Sequence, residues 1–229
     1  MVVKSKLQSI EWGGDVHVPH GNTLKAQEVA KMTRDAGLAI SAYGSYYRFD
    51  EEIPFASVLE TAVALSAPLI RVWAGRLGSA AADEGYWQKM LAQSQRIADM
   101  AEKAGITVAF EYHGGTLTDT RASALRLLSE INHPNLRSYW QPLFTHTLDE
   151  RMQGLQEISP WLTNVHVYHW IERTKYPLEA GWDDWQQYFS ELAKLPGEHY
   201  ASLEFVRDND PTQFFADAKT LNRLLLTQS

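Results

Sequence analysis

The chain has 229 residues, 45% of them hydrophobic and 21% charged, which is enough apolar material for one large buried core and too much for a disordered chain. Its formal net charge of −7, with no block of Lys and Arg to offset it, excludes nucleic acid and anionic membrane as default partners. The lack of cysteine excludes disulfides, zinc–thiolate sites and thiol nucleophiles.

Strand-type and helix-type runs alternate along the chain. Residues 1–8 contain no apolar leader, and no apolar run reaches the roughly 20 residues of a membrane span, so a cytoplasmic chain with no membrane partner is expected. A strand is predicted at 8–12, a helix at 23–36 opened by a Thr23 cap, and a strand at 38–43. Strands at 69–73 and 106–111 bracket a helix at 83–104, whose Trp87, Met90, Leu91, Ile97, Ala98 and Ala101 fall near one face. A helix at 119–131 places Ala124, Leu125, Leu128 and Ile131 likewise, and strands at 137–141 and 164–168 follow. A helix at 183–195 takes Asp183 and Asp184 as its cap and acidic first turn. A strand covers 201–205, and Pro211 opens a last helix running to 226.

The strand runs are apolar or β-branched with little polar alternation, as in strands covered on both faces. Gly37 and Gly105 each close a helix and lead at once into a strand, the same α-to-β joint used twice. No linker breaks the alternation, so residues 1–229 read as one domain.

The residues at the C-terminal ends of these strands are Glu11, Tyr43, Trp73, Glu111, Gln141, His166 and Glu204, separated by 32, 30, 38, 30, 25 and 38 residues. A (β/α)₈ barrel spends about 31 residues on each unit, so the spacing predicts a TIM-type (β/α) barrel. Seven strands are recognisable, and the first begins too early for a βα unit ahead of it. The expectation is a barrel lacking its first βα unit, either because the barrel is incomplete or because the natural chain starts further upstream. A doubly wound sheet is the rival, and it fails because no Gly-rich phosphate loop follows any strand.

In a barrel the strand C-termini converge on one face, where active sites form. A carboxylate ending a buried strand is costly unless it is paired, hydrogen-bonded or bound to metal. Glu111, Gln141, His166 and Glu204 form an O/N set of charge −2 that suits Mn²⁺, Mg²⁺ or Co²⁺. A single strand-end Glu is more often a salt-bridge partner, so the case rests on four such residues at four successive strand ends.

The stretches Phe110-Glu-Tyr-His-Gly-Gly-Thr-Leu-Thr-Asp119, Tyr139-Trp-Gln-Pro142, Asn164-Val-His-Val167 and Leu203-Glu-Phe-Val206 resemble the xylose isomerase-like TIM-barrel superfamily, also called the sugar phosphate isomerase/epimerase family. The likeness runs from Ile10-Glu-Trp-Gly-Gly-Asp15 over nearly the whole chain. It implies one divalent metal held by Glu111, Gln141, His166 and Glu204, with Gln141 standing where the wider family has Asp. The narrower ketose 3-epimerase pattern departs at Leu117, where those enzymes have Glu, and at Phe144, where they have His. The implied reaction is isomerisation or epimerisation of a sugar through an enediolate. The metal stabilises that charge, and Glu111 and Glu204 carry the proton.

Trp12, Tyr43, Trp73, Trp140, His169 and Trp170 lie at or just past strand ends, where aromatic faces suit the C–H faces of a sugar. His113 joins them beside Gly114-Gly115, and Arg173, with Arg71 and Arg76, offers bidentate contacts to an anionic group. His17 and His20 read as loop residues. A non-enzyme reading keeps only sugar binding or an oligomeric role, because of Gln141 and the missing unit. An endonuclease-like metal hydrolase on the same superfold requires more His and Asp ligands and a basic surface. Strand edges left open by a missing unit favour a homodimer.

Overall fold

The computed structural model describes residues 1–49 and 53–227. They fall into two compact units, Ser9–Tyr139 and Met1–Gln8 with Trp140–Ser229.

The unit Ser9–Tyr139 alternates strand and helix: β1 (Ser9–Gly13), α1 (Thr23–Asp35), β2 (Ala39–Tyr47), α2 (Phe55–Leu65), β3 (Leu69–Val72), α3 (Glu84–Lys103), β4 (Thr107–Phe110), α4 (Arg121–Ile131) and β5 (Leu136–Trp140). The strands are parallel in the order β1-β2-β3-β4-β5. Tyr139 is fully buried against Ala42, Leu69 and Ala109, so small residues on neighbouring strands make room for one large ring. Gly37 and Gly105 sit at φ 71° and 69° as expected of αL helix closures. The cap of α1 is Asn22, whose side chain accepts from Lys25 N; Thr23 is the first helical residue instead. Asn is as good a cap as Thr, and the structure selects the residue that still has non-helical backbone angles.

The other unit contains α5 (Leu148–Ile158), β6 (Leu162–Val167), α6 (Trp182–Leu192), β9 (Ala201–Leu203) and α7 (Pro211–Leu226). β6 and β9 pair in parallel. Between β6 and α6 an antiparallel hairpin is inserted, β7 (His169–Ile171) and β8 (Thr174–Tyr176). Trp185, Tyr188, Phe189 and Leu192 give α6 its buried face. Asp183 and Asp184 lie in the first turn of α6, but the cap position is Gly181 and no side chain caps it. The N-terminal turn Val2–Ser5 is tied to α7 by Asn222 Nδ2, which donates to Ser5 O at 3.1 Å.

All seven expected strands are present, with limits within four residues of those predicted, and a helix follows each before the next parallel strand or the end of the described chain. Two of those helices, α2 and α5, and the hairpin were not expected. No helix among the described residues is long and apolar enough to cross a membrane.

Candidate functional site

In the unit Ser9–Tyr139, three charged side chains from different strand ends are buried together. Arg71 of β3 donates through Nε to Glu11 Oε1 at 2.6 Å, and through Nη1 to Glu111 Oε2. The side chains of Arg71, Glu11 and Glu111 are only 6%, 11% and 4% exposed. Tyr139 donates its hydroxyl to Glu11 Oε2 at 2.9 Å, and Trp73 donates its indole N–H to Glu111 Oε2 at 2.5 Å. The Tyr46 ring lies beneath the guanidinium, 4.9 Å from Cζ.

Local geometry explains how Arg71 reaches two carboxylates. A register shift in the β1–β2 pairing falls between Ile10 and Glu11, the kind of irregularity that re-aims a side chain. On β2, between them, Gly44 is the cross-strand partner of Arg71. A Cβ there would lie 2.7 Å from both Arg71 Nη2 and Glu11 Oε1. Glycine is what lets the two side chains meet across β2.

The predicted aromatics of this unit divide by strand alternation. Trp12, next to Glu11 in β1, donates its indole to Thr33 Oγ1 on α1 at 3.1 Å and so faces the helix layer. Tyr43 is fully buried, its hydroxyl committed to Val18 O at 2.7 Å. Burial, aided by the nearby Asp15 charge, pushes its phenol pKa up. Trp73 is half-buried: His113 stacks on it at 4.0 Å and the Arg48 guanidinium lies 3.8 Å from its centroid. His113 Nδ1 is 2.7 Å from Gly114 O. His20 Nε2 contacts Ser45 O at 2.7 Å, and His17 packs edge-on to Trp12. Arg76 is exposed, its backbone N–H donating to the Tyr86 hydroxyl at 2.7 Å.

In the unit containing residues 140–227, three predicted ligands come together. His166 of β6 is 2% exposed; its Nδ1 lies 2.9 Å from Gln141 Oε1, just past β5, and 3.4 Å from Glu204 Oε2, just past β9. Glu204 Oε2 is buried and has no hydrogen-bond partner among the described residues. Aromatic rings of the same unit cluster with one another: Trp170 lies 4.8 Å from Phe205 and 6.0 Å from Phe144, and Tyr168 lies 5.4 Å from Phe205. Burial raises the Tyr168 pKa, and the Glu204 charge adds to it.

Trp140 is buried, packed 5.0 Å from Tyr188, and forms part of the core. His169 is half-buried in β7; burial lowers its pKa, opposed by Asp184 and reinforced by Arg151. Arg173 stands exposed at the hairpin tip, beside an open cleft of about 400 Å³ that Phe144, Thr145, Glu172 and Thr174 also line.

Arg71 is thus not an anion-binding arginine but the cation between two buried carboxylates. Its position in Leu69-Ile70-Arg71-Val72 carried the signal, since an arginine in a fully apolar parallel strand requires acidic partners.

Residues 2–224 match the family described as xylose isomerase-like TIM barrel. A 3-dehydroshikimate dehydratase of Bacillus anthracis is 27% identical over 175 residues, covering 66% of this chain and 61% of that protein. The aligned part therefore spans less than two thirds of that relative. Among solved structures, a probable 3-DHS dehydratase of Bacillus anthracis aligns with a TM-score of 0.75 at 23% identity, covering 99% of this chain and 90% of that one. A Mycobacterium smegmatis protein in complex with magnesium aligns at 0.73 with 13% identity, covering 99% and 86%. D-Psicose 3-epimerase of Clostridium cellulolyticum H10, with D-tagatose, aligns at 0.64 with 13% identity, covering 99% and 88%. These likenesses show the fold, a TIM-type (β/α) barrel.

Proposed function

The chain belongs to the xylose isomerase-like TIM barrel family, and we propose that it is a divalent-metal-dependent enzyme that moves a proton on the carbon beside a carbonyl of a small polyhydroxylated substrate, as a sugar isomerase or epimerase. The observation that carries this reading is the convergence of Gln141 Oε1, His166 Nδ1 and Glu204 Oε2, with neighbouring separations of 2.9 and 3.4 Å. Octahedral ligands at bond lengths of about 2.1 Å sit about 3.0 Å apart along an edge, so these spacings suit a hard divalent ion. The donor chemistry fits as well: an amide oxygen, an imidazole and a carboxylate oxygen that is buried without a hydrogen-bond partner among the described residues. Mn²⁺, Mg²⁺ and Co²⁺ all accept such a set.

A divalent ion held there polarises the carbonyl and hydroxyl oxygens of a substrate. The protein supplies the rest. Glu204 and Glu111 are the carboxylates assigned to proton transfer, and Glu111 is held by Arg71 and Trp73. The clustered rings Trp170, Phe205 and Phe144 are assigned to packing on sugar C–H groups. Arg173 is exposed at the cleft rim and is assigned to an anionic or hydroxyl-rich substituent.

A second reading, dehydration of a cyclic hydroxy ketone, is favoured by the 27% identity to a 3-dehydroshikimate dehydratase. Loss of water from such a compound begins with removal of the same kind of α-proton. The two readings separate in one experiment with Mg²⁺-loaded protein in D₂O. Ketoses that exchange a carbon-bound proton in the NMR spectrum support the isomerase or epimerase. A new ultraviolet chromophore formed from 3-dehydroshikimate, with ketoses inert, supports the dehydratase. Loaded protein that acts on neither class of compound contradicts both readings.

A further inference from the structure

We propose that Arg71 is a positioning residue for Glu111, anchored by Glu11. The proposal rests on the reading of Glu111 as a proton-transfer group, while its geometry lies wholly within Ser9–Tyr139. The guanidinium is held on three sides: Nε by Glu11, Nη1 by Glu111, and one face by the Tyr46 ring. Glu11 is fixed in turn by the Tyr139 hydroxyl, and Glu111 Oε2 takes a second hydrogen bond from Trp73. Trp73 is itself packed by His113 at 4.0 Å and Arg48 at 3.8 Å. A continuous run of fixed side chains, Tyr139–Glu11–Arg71–Glu111–Trp73, therefore sets the carboxylate of Glu111 in one orientation before any ligand arrives.

Charge neutralisation alone does not require this arrangement. One carboxylate would satisfy one buried cation, whereas here a planar fork spans two, through a gap kept open by Gly44. A lysine supplies the same charge but cannot donate along both directions with fixed geometry. Replacement of Arg71 by Lys thus separates positioning from simple electrostatics.

The experiment is a ¹⁵N–¹H spectrum of the full chain, in which its eight tryptophans give eight indole signals. Trp73→Phe identifies the Trp73 signal, which reports the hydrogen bond to Glu111 with or without metal. In Arg71→Lys and in Glu11→Gln the Trp73 indole proton is expected to lose its downfield displacement while the other seven signals stay in place. Mn²⁺ binding is followed by calorimetry on the same samples, as a separate check of the site assigned to Gln141, His166 and Glu204. An unmoved Trp73 signal in folded Arg71→Lys overturns the proposal. If Arg71→Lys does not fold, Glu11→Gln decides by the same criterion. If the unaltered protein binds no Mn²⁺, the metal-site reading fails, and the indole signal still decides whether Arg71 orients Glu111.

Discussion

The chemistry of this chain is prepared by single side chains whose neighbours leave them little freedom. Gly44 is the plainest case. Any side chain there enters the space shared by Arg71 Nη2 and Glu11 Oε1. Gly44→Ala is expected to cost about 1–3 kcal/mol of stability, the usual range for forcing a methyl into a filled interior, read as a lower urea midpoint with an unchanged slope. His169 makes a prediction with a sign. Its folded pKa is lowered by burial, so the unfolded chain takes up a proton more readily than the folded one. The stability that neutral His169 contributes is present above its unfolded pKa and is lost as pH falls through the ordinary histidine range. The melting temperature is expected to drop on acidification across that range, and His169→Gln to flatten the drop; identical pH profiles for the two proteins would count against the assignment. At this scale the places of Glu111, Gln141, His166 and Glu204 at or near strand ends were legible, because polar residues at the ends of apolar strands stand out. The inward or outward aim of Trp12, Tyr43 and Trp140 was not, since a residue's place at a strand end does not say which face it serves.

At the scale of elements, α5 begins with a capping box. Thr147 Oγ1 accepts from Glu150 N, and the Glu150 side chain accepts from Thr147 N. Thr147→Ala is expected to destabilise the protein by about 1 kcal/mol, with Thr147→Ser close to neutral, in parallel urea melts. The box was readable in Thr147-Leu-Asp-Glu150, so α5 had a usable sequence signal. α2 had one as well, since Phe55, Val58, Ala62 and Leu65 recur at helical spacing and are all buried. The hairpin β7–β8 had none. Its strands are three residues each, and its turn depends on Glu172 at φ 54°, a conformation uncommon for a residue of that type. The seven parallel strands were easier to read because burial on both faces writes them as unbroken apolar runs.

At the scale of the whole molecule, the metal site proposed above would link metal binding to stability. An ion held by Gln141, His166 and Glu204 would tie together three segments far apart in the sequence, and an unfolded chain has no such site. Metal at about 100 times its dissociation constant is expected to add about 2.7 kcal/mol, which for a chain of this size is a rise of several degrees in melting temperature, reversed by a chelator. The measurement that tests the central claim most directly is calorimetric titration of Mn²⁺ into chelator-stripped protein and into its Glu204→Gln variant. One equivalent bound by the unaltered protein and lost in the variant is the result this account predicts. Folded protein that binds no Mn²⁺, or a variant that binds as tightly as the parent, would contradict it.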